Sequence, residues 1–288
     1  MEWLEVAVTT TAEAVEAVAA ELEALGSAGV VLEDPARVIA YWPAGAEADE
    51  RLRRLRRFLA GLPVCGLDPG PARVEAVRRD DAEWAESWKR FYHTRRIGRL
   101  VVRPSWEEYQ PGPEEVVVTL DPGMAFGTGT HPTTALCLEA LEEELSGGES
   151  VVDAGTGSGI LAIAAAKLGA ARVVACDADP VACQVAEENL ARNGVTDRVV
   201  VRCADAGEAL RSLDWPADLI LANLTAEAIV SLAPVFAGAA APGGRLLASG
   251  IVAERRAEVV GALAAAGLEV DTVREREGWA LLRAARAE

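Results

Sequence analysis

The sequence predicts two bodies in tandem. A small ferredoxin-like α+β domain occupies residues 1–78, and an α/β, Rossmann-like doubly wound sheet occupies residues 96–288. Three observations carry that expectation. The first 78 residues read in the order β-α-β-β-α-β. From residue 131 onward helical and extended patterns alternate, which builds a parallel sheet. Three glycines crowd the point where one of those strands turns into a helix. A chain of 288 residues accommodates about two domains.

Each element follows from local pattern. Leu4, Val6 and Val8 share one face of a half-buried strand over 3–9. Thr10-Thr11-Ala12-Glu13 reads as a capping box opening a helix that stops at Gly26. Gly29–Leu32 and Arg37–Trp42 read as two strands turning around Asp34-Pro35. A second helix covers 48–62, with Leu52, Leu55 and Leu59 on its packing face. Its arginines, between Arg51 and Arg57, are either a solvated face or a docking surface for an acidic neighbour. The strand Ala72–Val77 closes the domain.

Residues 79–95 read as a linker helix with a packing stripe of Trp84, Trp88 and Phe91. Ile97–Val102 and Val116–Leu120 look extended. Helices then fall at 131–145, 159–168, 180–193, 226–240 and 253–266. Strands fall at 150–153, 172–177, 198–203, 218–222 and 244–249. The consecutive strands 269–274 and 279–284 place an antiparallel strand at the sheet edge.

Charge narrows the function. The net charge of −17 argues against a general nucleic-acid binder, which needs a basic face to displace counterions. Residues 1–50 carry −10, residues 51–103 carry +8 and residues 104–288 carry −15. Acidic bodies of this kind either serve solubility or attract basic partners. No apolar run reaches the ~18 residues of a membrane span, and the N-terminus lacks a signal-peptide start, so a cytoplasmic protein is expected. Five cysteines without a CxxC read as reduced thiols, and only His93 and His131 are present, so no metal site is expected.

The chemistry concentrates in Asp153-Ala154-Gly155-Thr156-Gly157-Ser158-Gly159-Ile160. A dinucleotide fingerprint would require glycine where Ile160 stands, so the spacing is G-x-G-x-G. Gly155 and Gly157 let the backbone approach a ligand, and the helix beyond offers free N–H groups. Asp153 can hold the loop or face a ligand ammonium. Asp177 ends the next strand, placed to accept both ribose hydroxyls. Asp179-Pro180 reads as a helix cap. Asp205, after the following strand, is placed to meet an adenine edge. Together these features resemble class I methyltransferases that bind S-adenosyl-L-methionine (AdoMet) and release S-adenosyl-L-homocysteine.

A second run, Asp121 to Thr134, packs three glycines, four threonines and one histidine into a loop that opens a helix. His131 is either a cap or a site residue, and Phe126 is either core or a cover for the cofactor. This run looks like the hallmark of the bacterial methyltransferase family acting on large-subunit ribosomal protein eleven, the PrmA family. Trp84/Trp88, Pro104-Ser105-Trp106-Glu107, Gly159-Ile160-Leu161-Ala162-Ile163-Ala164 and Ala222-Asn223-Leu224 extend the likeness over the whole chain.

The resemblance implies AdoMet contacts at Thr134, Gly155 and Asp177, with Asn223 beside the reactive methyl. It also implies an N-terminal domain that recognises the substrate, and trimethylation of lysine side chains and of the α-amine. Members commonly carry Cys-Gly-Ser-Gly in the glycine loop, where this chain has Gly155-Thr156-Gly157-Ser158-Gly159, and a proline near Tyr92-His93 is absent.

Leu224-Thr225 stand where enzymes acting on flipped adenines or on glutamine have Pro-Pro, which leaves room for an amine acceptor. Asn223 is then assigned to orienting the amine, or to capping a turn. The expected partner is the basic ribosomal protein, with no direct nucleic-acid contact and a monomeric enzyme. Another protein or a small amine as substrate, and a non-catalytic AdoMet-binding ribosome-associated module, are the competing readings. The N-terminal domain favours a protein substrate.

Overall fold

The computed structural model describes residues 3–11, 13–27, 30–33, 36–45, 47–65, 67–79, 93–121 and 131–287. It divides into two compact units, residues 1–91 and 92–288. The Trp84, Trp88 and Phe91 stripe lies outside the described residues.

In the first unit, β1 (Trp3–Thr9) pairs antiparallel with β3 (Arg37–Pro43) and β4 (Arg73–Arg79), and β2 (Val30–Glu33) flanks β3. The order β2-β3-β1-β4 is that of a ferredoxin-like sheet. Helices α1 (Val15–Ala24) and α2 (Ala48–Gly61) place Val18, Leu22, Leu55 and Leu59 against Leu4, Val6, Val8 and Trp42, all in one buried cluster. The alternation of β1 and the helical spacing of α2 thus bury the faces they define.

The capping box does not form at the start of α1. The helix begins after Ala14, with no side-chain cap. Thr11 Oγ1 accepts the Ala14 N–H at 3.3 Å and donates to the Asp68 carbonyl at 2.6 Å, so the threonine ties two loops together instead. On α2, Arg51 pairs with Glu47, and Arg53 and Arg57 share Glu50. Glu47 and Glu50 therefore neutralise part of the arginine face.

The second unit opens with a three-stranded sheet of β5 (Arg95–Ile97), β6 (Leu100–Arg103) and β7 (Val116–Thr119). The expected continuous strand over Ile97–Val102 is instead a tight hairpin. Ile97 faces Leu100, and the chain turns through Gly98 at φ +59.

The main sheet holds β8 (Ser150–Ala154), β9 (Arg172–Asp177), β10 (Val199–Cys203), β11 (Ala217–Asn223), β12 (Ala240–Val252), β13 (Leu268–Arg276) and β14 (Trp279–Arg286). Their order is β10-β9-β8-β11-β12-β14-β13. The first five are mutually parallel and only β14 runs against its neighbours. The antiparallel strand is therefore second from the edge, not at it. Burial explains the order. β14 buries Ala280, Leu281 and Leu282 in succession, as an interior strand does, whereas β13 beyond Leu268 alternates exposed and half-buried residues, as an edge does.

Helices α3 (Pro132–Glu144), α4 (Ile160–Lys167), α5 (Pro180–Asn193), α6 (Ala206–Arg211), α7 (Ala226–Ala239) and α8 (Arg256–Ala265) connect the strands. The short α6 has no counterpart in the sequence reading. Alternate residues of β11 face opposite layers: Leu219 and Leu221 pack with α3 and α4, and Ile220 packs with α7 and α8. Both sheet faces are covered, so polar chemistry is left to the strand ends. The order reverses between β8 and β11, and ligands bind outside the carboxyl ends of strands at such a point.

Candidate functional site

The glycine loop leaves β8 at Ala154 and enters α4 at Ile160. Its backbone is anchored on the next strand, because the Gly155 and Thr156 N–H groups both donate to the Cys176 carbonyl at 2.9 Å. Gly155 sits at φ +75, and a Cβ there would land on Leu224 Cδ2. The positive φ favours glycine, and any side chain there would also have to displace Leu224.

Asp153 lies beneath the loop, only 1% exposed. Its Oδ2 accepts Thr156 Oγ1–H at 2.6 Å and the Ala162 N–H at 3.1 Å. Its Oδ1 has no partner among the described residues. Burial pushes the carboxyl up to about 6, with the nearby Asp177 acting in the same direction against those hydrogen bonds. The residue thus holds the loop and still presents a buried, unsatisfied acceptor.

Asp177 ends β9, where its Oδ2 accepts the Gly157 N–H at 2.9 Å and its Oδ1 accepts the Asp179 N–H at 3.0 Å. Asp179 caps α5 through the Val181 N–H, with Pro180 at the first helical position. Asp205 caps α6, accepting the Gly207 N–H at 2.9 Å and the Glu208 N–H at 3.4 Å. The structure therefore gives Asp205 a helix-capping bond alongside its place on the cavity wall.

Across the loop, Asn223 Nδ2 donates to Thr134 Oγ1 at 3.4 Å. Thr134 is fully buried in the first turn of α3. His131 caps that helix. Its Nδ1 meets Thr133 Oγ1 at 2.8 Å, and its ring stands edge-on to Trp279 with centroids 4.8 Å apart. Burial lowers the imidazole pKa, against the opposing pull of Glu277. Capping and packing therefore account for His131. Phe126 and the rest of 122–130 lie outside the described residues.

Thr134, Gly155, Gly157, Asp177, Asp205 and Asn223 meet around one cavity of about 330 Å³. That volume lies within the range of small-molecule sites, roughly 300–1,000 Å³. Asp153 lies below the wall and does not line it. Sequence reasoning missed Leu224, which forms the wall opposite Gly155; the paired signal is the glycine that leaves it room. A larger depression of about 720 Å³, bordered by Trp215, Pro216 and Pro234, sits where β11 begins, at the sheet edge opposite the site.

A doubly wound sheet with this order, a glycine loop after its first strand and an acid at the end of the next define a class I AdoMet-dependent methyltransferase. The model of the family described as ribosomal protein L11 methyltransferase (PrmA) matches residues 2–287. A relative of that name from Pelotomaculum thermopropionicum is 45% identical over 99% of each chain. Another from an Exiguobacterium species is 42% identical over 97% of each. Among solved structures, the ribosomal protein L11 methylase of Lactobacillus delbrueckii subsp. bulgaricus is 35% identical with a TM-score of 0.63. That match covers 68% of this chain and 100% of the other. The chain belongs to the ribosomal protein L11 methyltransferase family. Its residues fit AdoMet: a side-chain-free backbone at Gly155 and Gly157 and a carboxylate at Asp177 line the cavity and suit a cofactor carrying ribose hydroxyls.

Proposed function

We propose that this chain methylates ribosomal protein L11 in the cytoplasm, modifying lysine side chains and the α-amine. The observation that carries the reading is the meeting of Asp177 and Asn223 across Gly155 in one cavity, in a chain of this family. Bound AdoMet supplies a sulfonium methyl for in-line transfer to a nitrogen. Asp177 takes the ribose hydroxyls with the lone pairs that Gly157 and Asp179 leave free. Asp205 faces the adenine edge from its cap position, and Thr134 and the Gly155–Gly157 backbone line the remainder.

Asn223 orients the acceptor amine. Its Nδ2 is committed to Thr134, which leaves Oδ1 to accept an N–H from the substrate. That amine must be neutral, and a lysine near pKa 10.4 is neutral in only about one part in a thousand at pH 7.4, a cost of roughly 4 kcal/mol. Desolvation in the cavity offsets that cost, and positioning supplies the acceleration. The net charge of −17 suits a basic protein partner rather than direct contact with nucleic acid. The monomer is the working assembly in this reading.

The test is incubation with labelled AdoMet and purified L11, followed by mass spectrometry of the lysines and the N-terminus. Methyl increments on L11 are expected, and their absence with active enzyme would remove L11 as the substrate.

A further inference from the structure

Two cysteines outside the proposed chemistry stand together at the rim of the cofactor cavity. Cys203 ends β10 and is exposed, and Cys183 lies buried in the first turns of α5. The two elements converge on one carbonyl. The Asp177 oxygen accepts the Cys183 Sγ–H at 3.3 Å and the Ala204 N–H at 2.9 Å. Cys203 is also the register partner of Asp177 across the β9–β10 ladder. The Cys203 thiol neighbours Cys183 closely enough to help raise its pKa. Asp177 and Asp205, which line the cavity, flank this pair in the fold.

We propose that Cys203 and Cys183 form an oxidisable dithiol, a modification site that closes to a disulfide and weakens cofactor binding. The oxidant is a hydroperoxide. The exposed Cys203 thiolate attacks the terminal peroxide oxygen, the O–O bond breaks, and sulfenic acid and water (or an alcohol) form. Cys183 sulfur then attacks the Cys203 sulfur, an S–S bond forms, the S–O bond breaks, and the Cys183 proton leaves with the hydroxyl as a second water. Two thiols lose two hydrogens, and one peroxide is reduced.

Burial, together with the neighbouring Cys203 thiol, holds the Cys183 thiol up at about 12. The exposed Cys203 is therefore the thiol that meets the peroxide, and the buried Cys183 the one that resolves the sulfenic acid. Cys137 and Cys176 are buried in the core.

Closing the bond brings the sulfurs to about 2.05 Å. It takes Cys183 Sγ off the Asp177 carbonyl and shifts the strand end that carries Asp177. This consequence rests on the proposed cofactor site, whereas the cross-link itself does not.

The experiment treats the full-length protein with hydrogen peroxide, maps its peptides under non-reducing conditions, and titrates AdoMet calorimetrically before and after treatment. The expected result is a Cys183–Cys203 linked peptide and an AdoMet Kd raised about tenfold (roughly 1.4 kcal/mol). A thiol reductant restores both, and Cys203→Ser and Cys183→Ser each abolish the linked peptide and the rise in Kd. Over-oxidation of Cys203 without a cross-link, or a cross-link that leaves Kd unchanged, overturns the proposal. AdoMet binding by the reduced protein tests the cofactor site separately.

Discussion

Asn223 Nδ2 donates to Thr134 Oγ1 at 3.4 Å, joining the end of β11 to the first turn of α3 across 89 residues. The bond fixes which end of the amide faces the cavity. Asn223→Ala is expected to lower kcat about a hundredfold through lost positioning. Thr134→Val, which keeps the shape and removes the acceptor, is expected to lower it about fivefold, the value of one hydrogen bond of ~1 kcal/mol. If Thr134 acts through Asn223, the double variant is no slower than Asn223→Ala alone. Additive losses in steady-state kinetics would show two independent roles.

Asp177 carries two backbone N–H groups besides its proposed ribose contact. Asp177→Asn keeps an acceptor for the loop but loses the charge, whereas Asp177→Ala loses both. Hydrogen bonds to a charged group contribute about 1.5–3 kcal/mol, so Asp177→Ala is expected to weaken AdoMet binding at least tenfold by calorimetry. Asp177→Asn should fall between it and the parent. Unchanged affinity in both would move the ribose elsewhere.

Leu224 is pressed by two glycines, and they differ in kind. A Cβ at Gly155 would meet the Leu224 side chain, which can rotate away; one at Gly250 would meet the Leu224 backbone, which cannot. Both sit at positive φ, +75 and +83. Each alanine costs ~1–3 kcal/mol in backbone strain, and Gly250→Ala carries the added clash. Thermal unfolding should therefore show Gly250→Ala melting below Gly155→Ala. Gly155→Ala should be the stronger in AdoMet affinity loss. The reverse ranking would mean that Leu224 is more confined than its backbone.

These comparisons mark what the sequence could carry. The glycine loop, Asp177 and the Asp179-Pro180 cap were legible because their chemistry is local: a backbone conformation, a strand end, a helix start. The Thr134–Asn223 bond was not, since only the β8–β11 pairing and the seat of α3 bring those residues together. The Ile97–Val102 run was misread because hydrophobic pattern does not register a two-residue turn at Gly98. The place of β14 was misread as the edge, although its unbroken Ala280-Leu281-Leu282 run suits an interior strand. The Thr10–Glu13 capping box failed where Thr10 Oγ1 donates to the Pro69 carbonyl, 59 residues away, a contact that no local pattern shows.

Asp153 makes stability depend on pH. Its native pKa of about 6 stands above the ordinary 3.8, so the folded state binds more protons than the unfolded state between those values. The carboxyl therefore favours folding most at the acid end of that window, and stability declines as pH rises through about 6. The effect is at most ~2–3 kcal/mol. Asp153→Asn, which retains an acceptor for Thr156 and Ala162, is expected to flatten the profile. Its melting temperature relative to the parent should rise between about pH 5 and pH 8 in cofactor-free protein. Parallel profiles would mean that Asp153 stays ionised when buried.

The arginines of α2 give the last prediction. Arg51, Arg53 and Arg57 are each paired with Glu47 or Glu50 of their own helix. Exposed pairs of this kind are worth about 0–1 kcal/mol, so these three arginines are partly neutralised within their own helix and exert reduced pull on an outside partner. The net charge of −17 acts differently, drawing a basic protein at long range. Raising salt from roughly 50 to 300 mM shortens the screening length and is expected to raise KM for L11 several-fold while AdoMet affinity changes little. Arg53→Ala with Arg57→Ala should leave KM for L11 unchanged or slightly lowered, because it makes the first unit more acidic. A KM that rises in that variant would identify α2 as a docking surface for an acidic segment of the substrate.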